Sequence, residues 1–140
     1  NEIISCEEEV EHVKHYLWLE EMRFGDKIRI EFEIQATDFW LPPLTLQPIV
    51  ENAVKHGILK NPSGGTIVIR SFETDIAFVV VVQDDGPGFE PNQVIDDNRL
   101  HMGISNVKDR LAAKVNGRLI IKSGLGEGTS VTLEIPKQRR

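Results

Sequence analysis

The sequence predicts an α+β protein: a two-layer α/β sandwich whose mixed, mostly antiparallel sheet carries helices on one face. Three observations predict it. Stretches 7–24, 46–57 and 105–115 place apolar residues at helical spacing. Residues 27–34, "KIRIEFEI", alternate apolar and polar side chains with period two. Two further pairs of strand-like runs are joined by short turns and read as hairpins.

Taken in order, "EEEVEHVKHYLWLEEMRF" (7–24) is a helix with Val10, Val13, Leu17 and Phe24 on one side and an acidic first turn that suits the helix dipole. Gly25-Asp26 stops it, and the strand 27–34 follows with Ile28, Ile30, Phe32 and Ile34 on one face. Pro42-Pro43 punctuates the chain before a second helix, whose stripe is Leu46, Ile49, Val50, Ala53 and Val54 and whose natural stop is Gly57. "NPSGG" (61–65) is a turn; runs 66–72 and 76–85 form an antiparallel hairpin about "ETD". Residues 86–103 are polar, punctuated by glycine and proline and without periodicity, so they read as a long loop and a candidate lid. A helix over 105–115 buries Val107, Leu111 and Val115, and "RLIIKS" and "TSVTLEI" close the chain as a hairpin around "GLGEG" (124–128).

The chain has 140 residues, the size of a single domain, with 40% hydrophobic and 27% charged residues. A formal charge of −6 argues against a nucleic-acid surface, which needs a basic patch. No apolar run is long enough to span a membrane, and no contact of this chain with a membrane is expected. Its one cysteine, Cys6, forms no internal disulfide, and no Cys/His cluster suggests zinc. The opening at Asn1, directly into helical pattern, reads as a piece of something longer.

Four stretches carry chemistry. In "ENAVKHG" (51–57), Glu51, Asn52, Lys55 and His56 crowd beside an apolar stripe. This is either a solvated face, with Glu51 and Lys55 as a favourable i, i+4 pair, or a site. In "VVVVQDDGPGF" (79–89), an apolar strand ends in two aspartates and Gly86-Pro87-Gly88. It is either a strand-ending turn or a rigid, partly buried carboxylate, Asp84, able to accept from an exocyclic amine while the glycines let a flat ring approach. A charge-assisted bond of that kind is worth about 1.5–3 kcal/mol. "HMGISN" (101–106) sets a glycine before a helix, where free N–H groups suit phosphate, although Ser105 is equally a plain N-cap. "GLGEGT" (124–129) lacks the lysine and the following helix that a P-loop requires, and that reading is rejected.

In this order, "ENAVKHG", "DDGPG", "MGISN" and "GEGT" resemble the ATP-binding domain of the GHKL superfamily, the Bergerat fold, over almost the whole chain. "LPPLTLQPIVENAVKHG", "NVKDRL" and the upstream "HYLWLEEMRFGDKI" are similar to sensor histidine kinases of the LytS type. The resemblance implies ATP and Mg²⁺ as cofactors, with Asn52 binding the metal through its side-chain oxygen. It implies that Glu51 orients or deprotonates the nucleophile, and that Lys55 and His56 face the phosphates from the same side of the helix. Asp84 becomes the acceptor for the adenine amine, flanked by Gly86 and Gly88. Gly103 hinges the far end of a lid over 86–103, and Asn106 begins the helix after it. Gly126, Gly128 and Thr129 form the last glycine box, with Thr129 near the adenine.

Two departures stand out: Asp85 replaces the usual asparagine and adds negative charge beside the nucleotide, and His101 replaces a lid glycine. The resemblance further implies a single catalytic domain over 1–140, with 1–24 as linker and first helix. Its acceptor would be a histidine on an upstream dimerisation segment absent from this chain, and a response regulator would be the next partner. His12 and His15 sit where the linker enters, which fits poorly with an acceptor role. The expected setting is the cytoplasmic side of a bacterial inner-membrane sensor. The rival expectation is a GHKL ATPase or nucleotide switch that phosphorylates no histidine.

Overall fold

The computed structural model describes residues 3–88 and 98–137, with side chains of the last helix described from Gly103 onward. The first helix, α1 (Cys6–Phe24), begins where Ser5 Oγ accepts from Glu8 N–H at 3.2 Å. It ends at Gly25, whose positive φ of 58° suits glycine and whose N–H returns to Glu21 O. Val10, Val13 and Leu17 are buried as the spacing requires, and Phe24 packs against the core. Ile4–Ser5 (β1) pairs with Trp40–Leu41 (β3) in a small antiparallel sheet of two residues a side, too short to leave a pattern in sequence.

The main sheet has five strands: β2 (Ile28–Ile34), β4 (Gly65–Glu73), β5 (Ala77–Asp84), β6 (Arg118–Gly124) and β7 (Gly128–Pro136), in the order β2-β4-β5-β7-β6. Only β2 and β4 run parallel; the rest are antiparallel, so the sheet is mixed and mostly antiparallel as expected. Both hairpins form with the expected boundaries to within a residue or two. One face buries Ile67, Ile69, Val80, Val82, Val131 and Leu133 against the helices. The other mixes polar with apolar side chains: Arg70 meets Glu33 at 3.3 Å and donates to Gln83 at 3.2 Å, among Val68, Phe72, Val79 and Val81. That division is what a half-solvated antiparallel sheet shows.

Two helices depart from the sequence reading. The second is α-helical only over Leu46–Asn52 (α2); Ala53–Gly57 winds as a π-helix and Ile58–Lys60 as a 3₁₀ turn. Gly57 therefore does not stop the helix. The buried stripe continues to Ile58, which is fully buried, and the N–H of Ile58 is shared between Ala53 O and Val54 O. The third helix, α3, spans Asn98–Val115 rather than starting at 105. Gly103 and Ser105 thus lie inside it, and Ser105 is not an N-cap. The apolar stripe explains the correction: Ile104 is buried one turn before Val107 and Leu111, so packing extends the helix through a glycine whose intrinsic cost is about 1 kcal/mol. Of the expected lid, 89–97 lies outside the described residues, and 98–103 is helical.

Candidate functional site

The site forms where the end of β5 meets the π turn. Asp84 is the last residue of β5 and pairs with Thr129 of β7. It is buried at 5% exposure, and its Oδ1 accepts from Gly86 N–H at 2.9 Å. Burial is the main cause that pushes its pKa up to about 6; the Gly86 bond opposes this and Asp85 adds to it. The carboxylate packs directly on Gly57: a Cβ there would stand 2.5 Å from Asp84 Oδ1. The wide π turn and an absent side chain at Gly57 together let the helix come this close to the strand end.

Around Asp84 lies a pocket enclosing about 480 Å³ out to its open mouth. Its walls are apolar: Ile49 and Ala53 from the second helix, Val82 from β5, Ile104 from α3, Ile121 from β6 and Val131 from β7. Asn52, His56, Gly88 and Thr129 complete the lining. Thr129 Oγ1 is 2.8 Å from Ser123 Oγ, which orients it from the neighbouring strand.

The structure thus brings together Asn52, His56, Asp84, Gly88 and Thr129 from three separate stretches of sequence. The other expected residues stand around this group. Glu51 is half-buried and its Oε2 accepts from Gln47 Nε2 at 3.0 Å, so its helical partner is Gln47, one turn before it, rather than Lys55. Lys55 is exposed and outside the pocket lining, because π winding breaks the α-helical spacing on which the shared face of Glu51, Asn52, Lys55 and His56 was argued. Gly103 lies against Asn52, 3.9 Å from the amide nitrogen to a built Cβ, and sits within α3 rather than at a loop hinge. Asn106 is exposed on α3 and does not begin it.

The glycines act as much between loops as toward a ligand. Gly86 is wedged against the Gly57 backbone, where a Cβ would lie 2.5 Å from Gly57 Cα. At Gly88 a Cβ would collide with the Gly124 carbonyl, and at Gly128 with that of Asp84; both have positive φ, 68° and 78°. Gly126, at the tip of the β6–β7 hairpin, donates to Pro87 O at 2.7 Å and tethers the hairpin to the glycine loop.

Asp85 reaches the pocket only through the effect of its charge on Asp84. It is exposed, lies outside the lining, and its Oδ1 accepts from Thr66 N–H at 2.8 Å at the start of β4. Asp85→Asn keeps that acceptor, and ATP affinity measured by titration is expected to change by less than about 0.5 kcal/mol.

The sequence reading missed the apolar walls. Ile49, Ala53, Val82 and Val131 sit at regular core positions, and nothing local separates a residue lining a pocket from one filling a core. Ile121, a large side chain left 38% exposed, marks the unfilled space in the structure.

An apolar slot that holds a buried carboxylate, an amide and an imidazole suits a flat heterocycle with a polar tail. Residues 43–139 match the family described as histidine kinase-, DNA gyrase B-, and HSP90-like ATPase, and the chain belongs to that family. It is 32% identical to the sensor protein LytS of Streptococcus mutans over 97% of this chain and 25% of that one. It is 31% identical to the sensor histidine kinase YpdA of Escherichia coli strain K12, over 99% of this chain and 26% of that one. The chain therefore spans about a quarter of the length of these relatives. Among solved structures, the catalytic domain of the histidine kinase ThkA superposes with a TM-score of 0.70 at 20% identity, covering 99% of this chain and 100% of that one, and shares the fold. The resemblance to GHKL and to LytS-type sensor kinases is borne out, and the chain is an ATP-binding catalytic domain of the sensor histidine kinase type.

Proposed function

We propose that this domain transfers the γ-phosphoryl group of Mg²⁺-ATP to a histidine on a dimerisation segment of the same receptor, upstream of this chain, for relay to a response regulator. The observation that supports it most is Asp84: a buried acceptor in the lining of an apolar slot, with Asn52 and His56 lining the same slot. Adenine enters edge-on, its amine donating to the free carboxylate oxygen of Asp84, while Val82, Ile104 and Val131 cover its faces. The phosphates then extend toward Asn52 and His56, with exposed Lys55 as an outer point charge.

Magnesium suits this donor set. Among the described residues no group of three or more His, Cys, Asp or Glu side chains could hold a metal. A hard cation that takes one protein oxygen, keeps water and shares the nucleotide's phosphate oxygens needs no such group. Asn52 is the residue that would hold it, and the ion would neutralise phosphate charge. Glu51, fixed by Gln47 beside Asn52, accepts the Nδ1 proton of the incoming imidazole. Its Nε2 lone pair forms the N–P bond as the bond to the ADP oxygen breaks. The reaction rests on positioning and charge neutralisation rather than on a covalent enzyme intermediate.

The test supplies the upstream helical segment and labelled ATP, then assays for acid-labile, base-stable phosphate on protein. Its appearance supports a kinase; release of free phosphate with no labelled protein assigns an ATPase or nucleotide switch instead. Glu51→Gln is expected to lower transfer by about 10²–10⁴-fold while ATP affinity stays within about twofold, as befits a base acting in the transition state. The cytoplasmic face of a bacterial inner-membrane sensor is the setting this reading implies. Among the described residues no helix is long and apolar enough to cross a membrane.

A further inference from the structure

At the opposite end of the second helix from Gly57 and Asp84, the turn that precedes α2 is gripped from two directions. Glu9 of α1 is 1% exposed, and its carboxylate accepts three backbone N–H groups: Leu44 at 2.7 Å, Thr45 at 3.2 Å and Leu46 at 2.9 Å. The Thr45 and Leu46 N–H groups are donors that a helix leaves unpaired at its start, so a buried acid here is both satisfied and favoured by the helix dipole. From the opposite side, Arg110 of α3 donates through Nη1 to Pro43 O at 2.6 Å and through Nη2 to Leu44 O at 2.7 Å. Leu44 is one of two non-glycine residues with positive φ among those described, at 60°. Such a conformation persists only where its surroundings over-determine it. Here its N–H is held by α1 and its carbonyl by α3.

The two helices joined through this turn form different walls of the nucleotide pocket. α2 supplies Ile49 and Asn52, and α3 supplies Ile104 and brings Gly103 against Asn52. We propose that Glu9 and Arg110 are positioning residues for ATP: by gripping turn 43–46 they hold α2 at the spacing from α3 that the nucleotide needs. Neither residue lines the pocket, and both act through the placement of Ile49 and Asn52. The inference rests on the ATP-binding reading of the pocket and is independent of which group receives the phosphate. It also gives α1 a direct hold on the pocket, since displacing Glu9 displaces the first turn of α2.

The test measures affinity for a fluorescent ATP analogue with Mg²⁺, alongside melting temperature, on the whole chain. Wild type is titrated first; if it fails to bind, both the pocket reading and this one fall. With binding established, Arg110→Met is expected to weaken it about five- to twentyfold. Val79→Ala, a buried truncation on β5 away from the pocket, is expected to lower the melting temperature with affinity unchanged. Arg110→Lys restores only part of the loss, because one ammonium does not reproduce a fork on two carbonyls; it carries the test if Arg110→Met does not fold. Glu9→Gln weakens binding in the same direction, and the double variant binds no worse than the weaker single one, since both act through one turn. Arg110 variants that lose stability like Val79→Ala but bind ATP like wild type would overturn the proposal, as would fully additive losses in the double variant.

Discussion

Asp84→Asn is expected to make the nucleotide-free protein more stable at neutral pH while removing most of its affinity for ATP. The two effects share one cause. Asp84 is buried and its pKa is raised to about 6 from 3.8, chiefly by burial. A carboxyl whose folded pKa lies above its unfolded value binds its proton more tightly in the folded state. Its contribution favours folding below pH 3.8 and is lost as pH rises toward about 6. At pH 8 the buried charge therefore stands as a cost, bounded by about 3 kcal/mol at 1.4 kcal/mol per unit. Asparagine removes the charge and keeps an oxygen to accept from Gly86 N–H. For a domain of this size the melting temperature is expected to rise by several degrees at pH 8, at roughly 3–5 °C per kcal/mol. The advantage should shrink as pH is lowered to 5, where the wild-type residue gains its proton.

Affinity goes the other way. With its oxygen taken by Gly86, the asparagine presents an NH₂ group to the incoming adenine amine, donor against donor. Loss of the charge-assisted bond costs about 1.5–3 kcal/mol, a weakening of roughly 10- to 150-fold. Calorimetric titration at pH 8 measures it. A variant that melted higher and bound ATP as well as wild type would remove Asp84 from the site and leave it a buried turn residue. A variant that melted lower at pH 8 would mean that the carboxylate's bonds outweigh its desolvation. The two expected results together would mark Asp84 as a binding residue held in a state that is costly until its ligand arrives.

How much of this was legible beforehand depends on how local each cause is. The five strands and α1 were readable because alternation, a glycine stop and turn residues are all written in neighbouring positions. The β2–β4 parallel pairing was less so, since the two strands are separated by α2 and nothing in "KIRIEFEI" names its partner. The start of α3 was misread because 98–103 contains a glycine and, in Leu100 and Met102, only a short apolar pattern, while its helical state depends on Ile104 docking against residues far away in sequence. Similarly, Asn52, His56, Asp84 and Thr129 could be chosen by residue type and motif order. Lys55 could not be placed, because the π turn at Ala53–Gly57 follows from packing Gly57 onto Asp84, a contact between positions 27 residues apart (84 − 57). The Glu9 carboxylate was the deepest omission. In sequence it is one of three acids in a first turn that suits the dipole of its own helix; in the fold it caps a different helix altogether.

The glycine boxes invite the assumption that their glycines exist for the nucleotide, and a pair of substitutions separates that idea from packing. Gly126 and Gly128 have nearly the same conformation, with φ of 76° and 78°. A Cβ at Gly126 meets nothing within 4 Å, whereas one at Gly128 runs into the backbone of Asp84 and Asp85. Gly126→Ala should therefore cost only the left-handed conformation, about 1–2 kcal/mol. Gly128→Ala adds a collision with main-chain atoms of a central strand, which cannot yield as a side chain does. Overpacking of that kind costs about 1–3 kcal/mol further, and more where backbone must move. The expected result in the absence of nucleotide is a melting temperature lowered by a few degrees for Gly126→Ala and by roughly 10 °C or more for Gly128→Ala. Because the collision is with Asp84, the proposed acceptor for the adenine amine, Gly128→Ala should also lose ATP binding in whatever fraction stays folded. Equal and small effects of the two substitutions on melting would show that Gly128 serves the ligand rather than the join between β5 and β7. Unequal effects before any nucleotide is added place its first role in the strand packing that sets Asp84.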